Sequence, residues 1–173
     1  KILGCNSPKY AATLFFSLGV WQIDRGKEKT NILAEFNDNL KKTPSYITSE
    51  SKKWDRVSVS GKWNSSKQLL IDNVINRGIA GYKVLTPLKI SSSNQLILVD
   101  RGWVRQNQYR DRLPNINIDN ESVLVTGILE LPDLGLILSD NIVTKSWPKI
   151  SQTKNMDILK KEYTEEIYPM ILL

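Results

Sequence analysis

The stretch AGYKVLTPLKISSSNQLILVDRGWV, residues 80–104, decides the class of this fold. Two runs rich in aliphatic and β-branched side chains, AGYKVLTPLKI and QLILVDRGWV, flank the short polar segment SSSN at 91–94. Such runs around a Ser/Asn loop read as two strands joined by a hairpin. Pro87 has no N–H to give a ladder, so it belongs at an edge, an end or a bulge of its strand.

The same period of two recurs on both sides. WDRVSVSGKW (54–63) alternates up to Gly61, which reads as a turn or bulge, and KQLLIDN (67–73) is a further strand. Downstream, VLVTGILELP (123–132) is a strand ended by Pro132, and LGLILSDN (134–141) is a candidate sixth. The intervening RQNQYRDRLPNINIDNES (105–122) is too charged and Asn-rich for a core. NMDILKKEYTEEI (155–167) predicts a short helix with Met156, Leu159 and Tyr163 on one face, and YPMILL at the end reads as extended.

Upstream of the strands the period changes. Residues 11–41 predict one long helix, with Leu14, Leu18, Trp21, Arg25, Ile32, Phe36 and Leu40 at helical spacing and no proline before Pro44. Its first half, ATLFFSLGVW, is apolar nearly all round, and its second half is amphipathic. That change of character predicts two environments, an apolar one of lipid or partner and then the chain's own domain. The expected class is therefore α+β: a β-rich, antiparallel, barrel-like soluble domain at 44–173, preceded by the helix of 1–43 and carrying a short C-terminal helix.

Composition narrows the function. With 173 residues, 40% of them hydrophobic and 24% charged, the chain can bury a proper core. Residues 1–112 hold 19 Lys/Arg against 9 Asp/Glu, a balance of +10, whereas 113–173 hold 5 against 9, a balance of −4. A basic front half suits anionic lipid or an acidic protein, or is simply a solvated electropositive side. The clustered basic and aromatic pattern of a nucleic-acid binder is absent, so no nucleic-acid partner is expected. The single cysteine, Cys5, allows no internal disulfide.

There is no histidine. The commonest general base, metal ligand and axial haem ligand are thus missing together. Asp100 and Arg101 are adjacent in a strand and point to opposite faces. No zinc, redox or phosphate-loop motif is present, so no catalytic residue, no metal site and no enzyme activity are expected. RGIAGY (77–82) contains G-x-x-G, which reads as a tight turn with positive φ at Gly81 before the strand at Tyr82.

Four blocks in order carry a resemblance: LGVWQIDRGKEK (18–29), DNVINRGIAGYKVLTPL (72–88), LILVDRGWV (96–104) and VTGILELP (125–132). They resemble the signature segments of the surfeit locus protein 1 family, called Shy1 in yeast. The resemblance implies a protein with a transmembrane helix at each end. It implies a soluble domain between them on the outer side of the bacterial inner membrane or the mitochondrial inner membrane. It also implies assistance to cytochrome c oxidase assembly, with haem a as cargo for subunit I and membrane and oxidase as partners. ATLFFSLGVW then resembles the last turns of the first membrane helix, although KILGCNSPKY is too polar to be its first half. The family's proposed haem-ligating histidine lies in its second helix, so an axial ligand is not expected within this chain.

Carried over residue by residue, the resemblance singles out Trp21, Gln22, Arg25 and Lys29 as a membrane-interface or partner face. It further singles out Gly78, Gly81, Tyr82, Arg101, Gly102 and Trp103 as structural motif residues. Arg101 is expected to pair across the sheet with a carboxylate or carbonyl. Met156, Met170 and the tyrosines are conceivable haem ligands, with a structural role as the competing reading. The alternative to an assembly factor is a membrane-tethered module that recognises anionic lipid or an acidic protein through the basic half.

Overall fold

The computed structural model describes residues 7–109, 112–132 and 144–173. The chain forms two compact units, 1–42 and 43–173. The first is a single helix, α1, Ser7–Lys41. Ser17 and Thr30 return their hydroxyls to the carbonyls of Thr13 and Gly26 one turn back, so these polar side chains need no outside partner. Among the described residues no helix is long and apolar enough to cross a membrane.

The second unit is built on a sheet of eight described strands. These are β1 (Ser45–Tyr46), β2 (Arg56–Trp63), β3 (Leu69–Asn76), β4 (Ile79–Ile90), β5 (Leu96–Arg105), β6 (Ser122–Glu130), β7 (Lys149–Ser151) and β8 (Ile167–Leu172). A short helix, α2 (Met156–Leu159), and a following 3₁₀ turn at Lys160–Glu162 precede β8. Asn155 caps α2 by accepting from the Asp157 N–H at 2.9 Å. The expected strand at 134–141 lies outside the described residues.

The strand order is β1-β2-β6-β8-β5-β4-β3-β7, with β2 also pairing β4 at Gly61–Trp63 against Leu88–Ile90. Two expectations are corrected here. The sheet curls far enough to bring β2 onto β4, but β1, β3 and β7 extend it beyond that contact, so it is not a closed barrel. It is also mixed rather than antiparallel, because β1 with β2, β3 with β7 and β5 with β8 run parallel. The β3–β7 and β5–β8 pairings join segments far apart in sequence, which local alternation cannot reveal. Gly61 lies inside β2, where the strand meets both β6 and β4, rather than in a turn.

β5 explains why the core is divided. Its run LILV is apolar at every position because both faces of the strand are covered. Ile97 and Val99 join Val57, Val59, Leu88, Leu129, Met170 and Leu172 in one core cluster. Leu96 and Leu98 face the other way, onto Leu69, Leu85, Met156, Leu159 and Tyr163. A third, smaller cluster of Leu70, Tyr82, Val84 and Ile116 is sealed by the polar loop after β5, which contributes Ile116. Pro87 is tolerated in this central strand because it falls between two ladders. β4 pairs β3 as far as Leu85 and β2 only from Leu88, so no bond on that side needs its missing N–H.

Candidate functional site

The predicted residues fall in two places, one in each unit. On α1, Trp21, Arg25 and Lys29 recur every four residues and share one helix face. The Arg25 guanidinium carbon lies 5.6 Å from the centre of the Trp21 ring. Such a cation–π contact at an exposed site contributes about 0.5–1 kcal/mol and holds the two side chains together. Gln22, Arg25 and Lys29 are exposed, as are the apolar residues before them, with Phe16 at 74% and Trp21 at 52% of full accessibility. The helix thus passes from an uncovered apolar belt, through Trp21, to a cationic face.

The second group is gathered by two irregularities in the sheet. In the β3–β4 hairpin Asn76 pairs with Ile79, and the central residues Arg77 and Gly78 have φ of 50° and 78°. Positive φ at both positions is the two-residue turn whose twist matches that of its strands. Gly81 is therefore not the turn residue expected from G-x-x-G; it lies within β4, paired with Arg105. A Cβ on Gly81 would fall inside the Val104 carbonyl oxygen and the Trp103 ring, so the glycine serves close approach rather than a left-handed conformation. Trp103 is held over that spot by its indole N–H, which donates to the Val74 carbonyl at 2.9 Å. Tyr82, one residue on, accepts a 2.7 Å hydrogen bond from the Gln106 amide.

Opposite, the register of β5 against β4 shifts between Lys83 and Leu85, and Gly102 at φ 102° marks the bulge. The Gly102 N–H donates to the Asp100 carboxylate at 2.9 Å, and Asp100 also takes the Lys83 ammonium. The bulge re-aims Arg101. Its Nη1 donates to the Gln68 side-chain oxygen at 3.1 Å and to the Ile116 carbonyl at 3.0 Å. Gln68 is buried and its oxygen also accepts from Thr86 at 2.8 Å. Arg101 thus clasps the loop after β5 to the sheet through neutral oxygens. Partial burial lowers its pKa from the ordinary value, and a guanidinium stays charged all the same.

Gln68, Thr86 and Ile116 escaped sequence reasoning because nothing local announces a partner 15 or 33 residues away. An ion pair at Asp100 is expected from sequence, but its partner Lys83 escaped for the same reason. Among the described residues no group of three His, Cys, Asp or Glu is placed to hold a metal. Met156 and Met170 are each 6% exposed and pack in the cores, so neither thioether faces outward.

Comparison with known proteins covers both groups of residues. The SURF1 family profile matches residues 10–170. A SURF1-like protein of Monosiga brevicollis is 28% identical over 108 residues, covering 54% of this chain and 41% of its own. A SURF1-like protein of Rickettsia felis is 33% identical over 96 residues, 53% of this chain and 42% of its own. The cytochrome oxidase assembly protein SHY1 of Saccharomyces cerevisiae is 25% identical over 100 residues, 54% of this chain and 26% of its own. The match thus spans less than half the length of these relatives. With most of its length matched by the family profile, the α1 face and the β4–β5 motif included, the chain belongs to the SURF1 family.

Proposed function

We propose that this chain works in cytochrome oxidase assembly as a non-enzymatic, membrane-held factor that assists haem a insertion into, or stabilisation of, oxidase subunit I. The observation that carries the reading is family membership over residues 10–170, together with a yeast relative named as a cytochrome oxidase assembly protein. The site of action is the inner membrane of a mitochondrion or a bacterium, with the β-rich unit on the outer side. Haem a is cargo whose axial ligand comes from outside these residues, since the chain has no histidine and its described methionines are buried in the cores.

The physical support comes from α1. Its apolar residues at 14–21 are uncovered and suit lipid, and Trp21 stands where an indole favours a membrane–water boundary. Arg25 and Lys29 lie one and two turns further along the same face. A guanidinium grips carboxylate or phosphate bidentately and an ammonium adds a point charge, so this face suits an anionic element of the oxidase near the boundary.

The test is Arg25→Ala combined with Lys29→Ala. Exposed charges and the exposed Arg25–Trp21 contact contribute no more than about 1 kcal/mol to stability, so the double variant should stay folded and melt close to the parent. Oxidase maturation in cells carrying it should fall. Unfolding of the variant, or full oxidase activity from a stable variant, contradicts the assignment of this face.

A further inference from the structure

β8 stops between two strands that run on past it. Leu172 pairs with Val99 of β5 on one side and with Leu129 of β6 on the other. Beyond that level β5 continues through 100–105, and β6 extends back through 122–126 with β2 as its only partner among the described residues. We propose that the slot between β5 and β6 is a strand-addition site. Its occupant is the extended segment that continues β8 past Leu173 in the full product of the gene. The proposal goes beyond the assembly reading and does not depend on it.

Hydrogen-bond parity leaves both walls of the slot unpaired. The Trp63 N–H donates to the Glu121 carbonyl, so the odd residues of β6 face β2. The even residues turn the other way, and Ile128 and Leu173 exchange two bonds there, at 3.1 and 2.9 Å. Thr126 and Leu124, next in that series, aim their N–H and C=O groups into the slot, where no described backbone meets them. On β5 the Gln106 N–H donates to the Ala80 carbonyl. Trp103 and Arg105, of the opposite parity, therefore turn their backbone groups away from β4 and toward the slot. Such unpaired edges are the template for an added strand.

The loop that joins β5 to β6 passes elsewhere. Its Ile116 packs on Leu70, Tyr82 and Val84, and its Asn120 side chain accepts from the Ser65 N–H, which carries it over the β3–β4 side. Register then fixes the occupant. An antiparallel continuation along β6 sets the third and fifth positions after Leu173 opposite Val125 and Val123. Both valines are half-buried against the core, so apolar side chains at those two positions complete it. The second and fourth positions face outward beside Thr126 and Leu124, the latter 65% exposed. Continuity favours this chain over a partner. A foreign strand must begin where Leu173 already holds Ile128, whereas the chain's own continuation inherits direction and register without a loop. Running parallel to β5 toward Arg105, it delivers whatever follows beside Gly81 and Trp103.

Amide hydrogen exchange followed by NMR tests this on two proteins in the same detergent, residues 1–173 and the full product of the gene. In 1–173 the Leu124 and Thr126 amides should exchange fast, while Val123 and Val125, bonded to β2, stay protected. In the full product Leu124 and Thr126 should slow by at least about a hundredfold. Aspartate at the third and fifth positions after Leu173 should restore their fast exchange and leave Val123 and Val125 protected. A reading frame that stops at Leu173, or fast exchange at Leu124 and Thr126 in the full product, overturns the proposal. Protection already present in 1–173 shows the slot closed without an added strand and overturns it too. Protection of the full product that appears only when a purified oxidase subunit is added assigns the slot to a strand from a partner and overturns the occupant proposed. Each of these outcomes leaves the oxidase assembly reading to its own test.

Discussion

At Gly81 the chain leaves no room for a side chain, and the reason is the neighbouring strand rather than a turn. Trp103 is fixed over the glycine by its bond to Val74, and the Val104 carbonyl closes the other side. Gly81→Ala should therefore destabilise the protein by about 1–3 kcal/mol, the usual range for overpacking against atoms that cannot move away. Urea unfolding followed by tryptophan fluorescence measures this. A Gly81→Ala variant as stable as the parent would show that β4 and β5 separate easily here. G-x-x-G predicted that something at 78–81 required glycine but misassigned the cause, because the motif does not distinguish a left-handed turn from a crowded pair. The positive φ belongs to Arg77 and Gly78. The clasp made by Arg101 was legible only as a need for an oxygen partner. Which oxygens satisfy it depends on where a loop returns.

Among the elements, the hairpin of β4 and β5 and the long helix follow directly from period and turn chemistry, since both signals are local. α2 is shorter than the helix predicted for 155–167, ending in a 3₁₀ turn after Leu159, because Tyr163 turns into the core instead of continuing along a face. The Tyr163 ring packs against Trp147 at 5.2 Å between centroids, and its hydroxyl donates to the Lys67 carbonyl at 2.9 Å. Burial chiefly, with the Glu162 and Glu165 carboxylates adding to it, pushes its pKa well above the ordinary phenol value. In the unfolded chain the same phenol ionises near pH ~10, so above that pH the unfolded state gives up a proton that the folded state keeps. Stability from this group should be constant below about pH 10 and fall beyond it, by up to about 1.4 kcal/mol per pH unit. Tyr163→Phe should lose about 1 kcal/mol at neutral pH, from the broken hydrogen bond, and show a shallower alkaline decline. Thermal melts across that range check both effects. An alkaline decline as steep in Tyr163→Phe as in the parent would assign it to other groups, such as Tyr168, whose pKa burial also raises.

For the whole molecule, the sequence blocks at 18–29, 72–88, 96–104 and 125–132 correspond to the middle of α1, the β3–β4 hairpin, the bulged β5 and β6. They were legible as a family signature because each carries a glycine or proline constraint, and the first three add aromatic and cationic residues at fixed spacing. The open, mixed sheet was not legible, since β7 and β8 find their parallel partners only after the chain has travelled far. The central proposal is that the chain serves cytochrome oxidase assembly by assisting haem a insertion or stabilising subunit I at the membrane. The most direct measurement is the reduced-minus-oxidised absorption spectrum of membranes from source cells in which the gene encoding this chain is deleted. The account predicts a fall in the a-type haem signal and in oxidase activity, with b- and c-type cytochromes retained and the loss reversed by returning the gene. Unchanged a-type haem with full oxidase activity in the deleted cells would contradict it.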